Sequence, residues 1–516
     1  VAVNDSNGAT LAGSGASNIA PLNADAHVTG DVSQGKTEPD ISASDITVHS
    51  EISYTDITAG AGQFGIQTGS KLLGAGIGAA VAVNDLSSNQ VTAYVNEAWL
   101  SADDSIDVSA RTGMATEGVV LGLAVGGDRA QDFALGGSVV DNTVKPTTEA
   151  HVMGTTTIIE AGGDITIAAV EENLVVSSGA GVISAEASNN GVGAIGAAVA
   201  TNTVDSTVSS SVVTAPALDP APSIISYGGK VNVTAHRDDP QIVAVALGGE
   251  AAQNFAAGGS VATNTVTHTT DAHVSGGTEV SGHNGVTVEA NEDSPVIVAA
   301  AGNFDISNKG VAVGAAVPTN TITRSLTAYV GDQDQSDFDT GADGASLTSS
   351  AGEVKVAAIR DNSLVLAIGV SGVGAEKFSL GGSVVESNIK SSIVDAHAWG
   401  GTLAGTLGVS IEAEDTDAAN IAFAGNVDLS LAFSKASENG DVDADAIQAL
   451  QANQQNQQQV DPEEEANPQN LQDVQGLKSL YSFLKSNSDG VGPADPGPAE
   501  QPPAPPALGA TGTASI

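Results

Sequence analysis

The sequence predicts an all-β, elongated repeat array, with a β-solenoid as its simplest form. Three observations carry that expectation: a strand-like phrase returns seven times, a glycine-led apolar phrase falls between its copies, and helical periodicity is absent from the region that repeats.

The first phrase is β-branched, polar, β-branched. It reads Ile46–Thr47–Val48, Ile106–Asp107–Val108, Ile165–Thr166–Ile167, Val231–Asn232–Val233, Val286–Thr287–Val288, Val354–Lys355–Val356 and Val409–Ser410–Ile411. Successive starts lie 60, 59, 66, 55, 68 and 55 residues apart. Alternation of this kind is the period-2 signature of a half-buried strand.

The second phrase has two alternating versions. Gly78, Gly196 and Gly314 begin Gly-Ala-Ala-Val; Gly136, Gly258 and Gly381 begin Gly-Gly-Ser-Val. Phe133, Phe255 and Phe378 precede only the second version, so the unit is a doublet of about 120 residues. An asparagine follows each copy: Asn84, Asn142, Asn202, Asn264, Asn320 and Asn388. A third phrase ends in histidine or tyrosine, as in Asp271–Ala272–His273 and Thr327–Ala328–Tyr329.

Within one half-repeat the turn residues Asn291–Ser294 and Ser307–Gly310 divide four strands, at about 286–290, 295–303, 310–317 and 326–331. Such a unit cannot bury its apolar face alone, and stacking neighbours completes the core. Coils of about 20 residues stacked at about 4.8 Å would make a rod on the order of 100 Å long. The alternative is a stack of antiparallel four-stranded meanders.

The repeat is expected over residues 1–435. Residues 436–487 read as an acidic, Gln-rich helical segment, with Leu471, Val474, Leu477, Leu480, Tyr481 and Leu484 on one helix face. Residues 488–516 read as a Pro/Ala/Gly linker or arm. Val1–Asn4 resembles Val81–Asn84, which predicts a start inside a repeat of something longer, a fragment or a processed subunit. No signal peptide is visible.

Composition narrows the function classes. Hydrophobic residues make up 41% and aromatics only 3%, with 61 glycines, so Val, Ala and Gly must carry a thin core. The 61 acids against 16 bases give a net charge of -45, which opposes nucleic-acid binding and docking to an anionic membrane. No apolar run is long enough to insert in a membrane. Cysteine is absent, which fits an exported protein.

Four histidines, His27, His151, His273 and His397, each follow an acid by two residues: Asp25, Glu149, Asp271 and Asp395. With 20-residue coils they would lie roughly 25–30 Å apart, too far to share a metal, so a repeated structural or surface role is expected. The Asn of each Thr-Asn-Thr triplet is expected at a strand end or turn. Calcium is considered at Asp332, Asp334, Asp337, Asp339 and Asp343, and at Asp441, Asp443 and Asp445, with solvated acidic loops as the alternative. No nucleophile elbow, phosphate loop or zinc-protease motif occurs, so the chain reads as not an enzyme.

Gly-Ala-Ala-Val-Ala-Val-Asn at 78–84, Gly-Gly-Asp-Ile-Thr-Ile at 162–167 and Thr-Ala-Tyr-Val at 327–330 resemble the repeats of giant bacterial surface proteins, the filamentous-haemagglutinin-like and leukotoxin-like adhesins. The resemblance covers about residues 1–435. It implies export to the surface of a Gram-negative bacterium, a β-helical shaft, and a place in a filament, sheath or attachment structure. Three classes follow: a fibre or shaft component that binds copies of itself, an adhesive module binding glycan or a partner cell, and a polysaccharide-active enzyme as the weakest.

Overall fold

Alternating small apolar and polar residues produce strands, and every strand pair among the described residues is parallel. The computed structural model describes residues 2–6, 10–30, 37–67, 74–114, 119–186, 192–213, 223–331, 344–416 and 418–428. The chain divides into two units, Val1–Asp441 and Val442–Ile516. The expected helical segment 436–487 and Pro-rich segment 488–516 lie outside the described residues.

The first unit is a β-solenoid. One turn runs through Gln241–Ala252 on sheet A, Phe255–Ser275 on sheet B, Glu279–Gly282 on sheet C and Gly285–Asp293 on sheet D. The chain then returns to sheet A at Val296–Ser307, in parallel register with Gln241–Ala252. Sheets A to D contain eight, nine, seven and seven strands. Parallel pairing rules out the antiparallel meander.

The seven copies of the first sequence phrase stack in register on sheet D. Ile46 pairs with Ile106, Ile106 with Ile165, Ile165 with Val231, Val231 with Val286, Val286 with Val354 and Val354 with Val409. The half-repeat of about 60 residues is therefore one complete coil. This corrects the expected coil of about 20 residues. Seven coils at about 4.8 Å give a stack roughly 30 Å high, not 100 Å. Each coil is correspondingly wide.

The strands expected at 310–317 and 326–331 are one strand, Val311–Gly331, in which buried and exposed residues alternate almost to its end. Its polar middle stays in the strand because Asn320 and Arg324 point inward and find partners there. The fourth strand is the short Ser346–Ser349 instead. The expected turn near Ser294 is present: Asn173, Asp239, Ser294 and Asn362 hold φ of 50°, 44°, 44° and 52° at the same corner of successive coils. Short polar side chains tolerate this left-handed backbone better than other non-glycine residues.

The interior has two compartments. Between sheets B, C and D lies a core of Val, Ile and Leu, including Leu100, Ile106, Ile159, Ile167, Ile224 and Val288. Each such side chain contributes about 1.5–3 kcal/mol on burial. Between sheet A and the first half of sheet B the buried cluster is alanine apart from Val140 and Val182. There the sheets pack as a thin layer.

Candidate assembly surface and polar interior

The outer face of the thin layer is apolar. Outward positions on sheet A run Thr58, Gly60, Gly62, Phe64 in one coil and Val243, Val245, Leu247, Gly249 in another. The equivalent positions of the other coils, ending with Ile421, Phe423, Gly425 and Val427, carry no charge either. Phe304 is 51% exposed, Ile183 57% and Leu247 48%. The first half of sheet B presents a comparable face, with Ile77 and Leu380 in one column and Val81, Val139 and Val384 in another.

Bulk and glycine alternate from coil to coil on sheet A. The column Phe64, Gly127, Ile183, Gly249, Phe304, Gly372 is large in odd coils; the neighbouring column Gly62, Val125, Gly181, Leu247, Gly302, Val370 is large in even ones. A Cβ on Gly127 would sit 2.8 Å from the Phe64 ring, and one on Gly372 would sit 2.5 Å from the Phe304 ring. Phe64 and Phe304 thus lie on the glycine of the next coil, and Leu247 lies on Gly302 in the same way. The same steric tiling, with a period of two coils, underlies the 120-residue doublet in the sequence.

The face measures roughly 23 Å along the strands by 34 Å along the stack, about 780 Å². The largest apolar patch on a typical monomer is about 300–600 Å². Parallel sheets are characteristically covered on both faces.

The interior holds two polar ladders. Asn18, Asn84, Asn142, Asn202, Asn264 and Asn320 stack, each Nδ2 donating to the next Oδ1 at 2.8–3.0 Å. Asn142, Asn202, Asn264 and Asn320 also donate across to sheet A carbonyls of Ser177, Val243, Val298 and Leu366. Asn84, Asn142, Asn202, Asn264 and Asn320 are mid-strand and buried, which corrects the expected strand-end or turn role; Asn18 is half-buried near the end of Thr10–Ile19. Asn388 is not in the ladder, because Ser387 pairs with Asn320.

The second ladder is ionic. Glu171, Arg237, Glu292 and Arg360 succeed one another on sheet D, all fully or almost fully buried. Arg237 Nε meets Glu171 at 2.7 Å and Arg360 Nε meets Glu292 at 2.6 Å. His268 Nδ1 lies 2.9 Å from Glu292. Burial opposes the Glu292 charge, but the His268 hydrogen bond and the Arg360 and Arg237 guanidiniums outweigh it and hold the carboxyl low. The sequence reading missed this ladder; acids and arginines at equal distances from the seven phrases were the available signal.

A third polar group has no cationic partner among the described residues. Asp128, Glu250 and Asp305 enter the thin layer from sheet A and are 1%, 2% and 0% exposed. Burial pushes Asp128 up to about 6. Burial, reinforced by Asp305, pushes Glu250 up to about 11. The glycines that lead the second sequence phrase face these groups. A Cβ on Gly196 would lie 2.1 Å from Glu250 Oε1, and one on Gly258 would lie 1.9 Å from Oε2.

The histidines are only two coils apart, not several, and tyrosines occupy coils between them. His27 stacks on Tyr94 at 4.8 Å, His273 on Tyr329 at 4.6 Å, and Tyr329 on His397 at 5.4 Å. Adjacent acids bond several of the rings: Asp271 Oδ2 lies 2.5 Å from His273 Nδ1. In these stacks ring faces cover one another. The Thr-Asn-Thr threonines also stack once per coil, Thr201 with Thr263 and Thr319, and Thr203 with Thr265 and Thr321.

All eight aspartates considered for calcium, Asp332 to Asp343 and Asp441 to Asp445, lie outside the described residues. Among the described residues His236, Asp238 and Asp293 bring ligand atoms within 4.8 Å of one another on the outside of sheet D. No described helix is long and apolar enough to cross a membrane. Comparison with protein-family models, with curated proteins and with solved structures finds no match.

Proposed function

We propose that the chain is a structural repeat segment of an extracellular fibre, sheath or adhesin shaft, and that it associates with copies of itself through the outer face of sheet A. The uncharged, tiled, apolar face of sheet A carries the self-association reading. Its area is close to the roughly 800 Å² per partner of a standard interface. The corrugation repeats every two coils, so a second copy turned by a two-fold axis can meet it with a self-complementary surface. The acidic residues elsewhere repel until salt screens them. The extracellular setting rests on the resemblance to the adhesin repeats.

The test is size-exclusion chromatography with light scattering, alongside electron microscopy, on the full chain and on a Leu247→Glu/Phe304→Glu variant. The wild type should associate increasingly with salt. The variant should stay monomeric with unchanged circular dichroism, because both side chains are outside the core. A wild type that is monomeric at on the order of 100 μM in high salt would overturn the reading, since interfaces of this size commonly hold at micromolar concentration or below.

A further inference from the structure

Glu250 and Asp305 occupy successive coils on sheet A and face the same glycine column of sheet B. Neither pairs with a lysine, arginine or histidine among the described residues. Both oxygens of Glu250 and Oδ1 of Asp305 are buried without a hydrogen-bond partner. Water can satisfy hydrogen bonds at such a place, and a proton shared between the two carboxyls can cancel one charge, but neither cancels both.

A separate side chain points to what does. Asn303 is 0% exposed and donates its Nδ2 to Asp305 Oδ2, which leaves its Oδ1 buried and unpartnered. That oxygen lies 2.8 Å from the point a Cβ on Gly258 would occupy, where Glu250 Oε2 is 1.9 Å away. A Cβ on Gly314 would lie 2.4 Å from Asp305 Oδ2. The amide oxygen thus lies over Gly248 and faces Glu250, while the amide nitrogen faces Asp305. Glycines at 258 and 314 leave the room that side chains would fill.

We infer that Glu250, Asp305 and Asn303 form a buried calcium site that ties two successive coils of sheet A to sheet B. An all-oxygen donor set with two carboxylates suits a hard divalent cation, whose charge balances theirs. Calcium accepts irregular coordination at about 2.3–2.6 Å, whereas magnesium demands near-octahedral geometry and retains water. The inference is independent of self-association, since the site is inside one chain.

The test is thermal unfolding of the full chain after chelator treatment, with and without calcium chloride, for wild type, Glu250→Gln, Asp305→Asn and the exposed control Glu386→Gln. Calcium should raise the wild-type and control Tm by about 2–4 °C, and both buried variants should lose most of that shift. An unresponsive wild type, or a Glu250→Gln variant with the full shift, overturns the site. A shared proton is then what holds the pair, and Glu250→Gln would be at least as stable as wild type without metal. If the variants fail to fold, wild-type crystals grown with manganese decide. An anomalous peak bonded to oxygens of Glu250, Asp305 and Asn303 supports the site, and its absence overturns it.

Discussion

The wide compartment and the thin layer share one coil repeat but solve opposite packing problems. Around Ile106, Ile167 and Val233, branched side chains hold the sheets apart, and the space among them also admits the ladder Glu171–Arg237–Glu292–Arg360. In the thin layer alanine and glycine let backbones approach so closely that a Cβ on Gly126 would lie 2.0 Å from the Gly137 carbonyl oxygen. The wide part buries its apolar residues within one chain. The thin part has too little thickness to do so and displays Phe64, Leu247 and Phe304 outside. Side-chain size sets the interior volume, and with it how much apolar surface each compartment buries.

The largest expected break is in the wide compartment. Glu292→Leu removes the partner of Arg360 and His268 and leaves buried positive charge, so chemical denaturation should show a loss of about 3–5 kcal/mol. The carboxylate of Asp128 tests the thin layer by pH. Its folded-state value, about 6 against an ordinary 3.8, means the folded chain binds the proton more tightly. Stability therefore falls as pH rises from about 4 to about 6, by about 3 kcal/mol, and Asp128→Asn should remove that part of the slope in urea titrations at each pH. A smaller effect sharpens the spacing argument. Gly126→Ala should cost about 1–3 kcal/mol by forcing the sheets apart, read from the denaturation midpoint. A neutral result there would mean the thin layer has slack that its close contacts exclude.

Much of the fold was legible because strand periodicity is local. The seven phrases were readable as strands, and in the structure they form sheet D. Coil length was not legible, because a 20-residue coil and a 60-residue coil produce the same alternation within any one strand. That single quantity changed the neighbours of every residue. It moved the histidines to alternate coils and turned scattered asparagines into a ladder. The ionic ladder and the carboxylates of the thin layer were harder to read: acids in a chain this acidic look solvated until the fold places them inside.

The sequence by itself determined that the described region is β and that its repeat is about 60 residues doubled to about 120, since alternation and spacing are properties of the chain; the thin core expected from its small side chains holds for one compartment only. Only the tertiary structure decided that one half-repeat is one coil, and hence which residues meet. Parallel pairing joins positions 55–68 residues apart, and no local signal records that distance as contact. From that pairing alone come the uncharged face of sheet A, the stacked Asn202, and the convergence of Glu250, Asn303 and Asp305 on the glycines that face them.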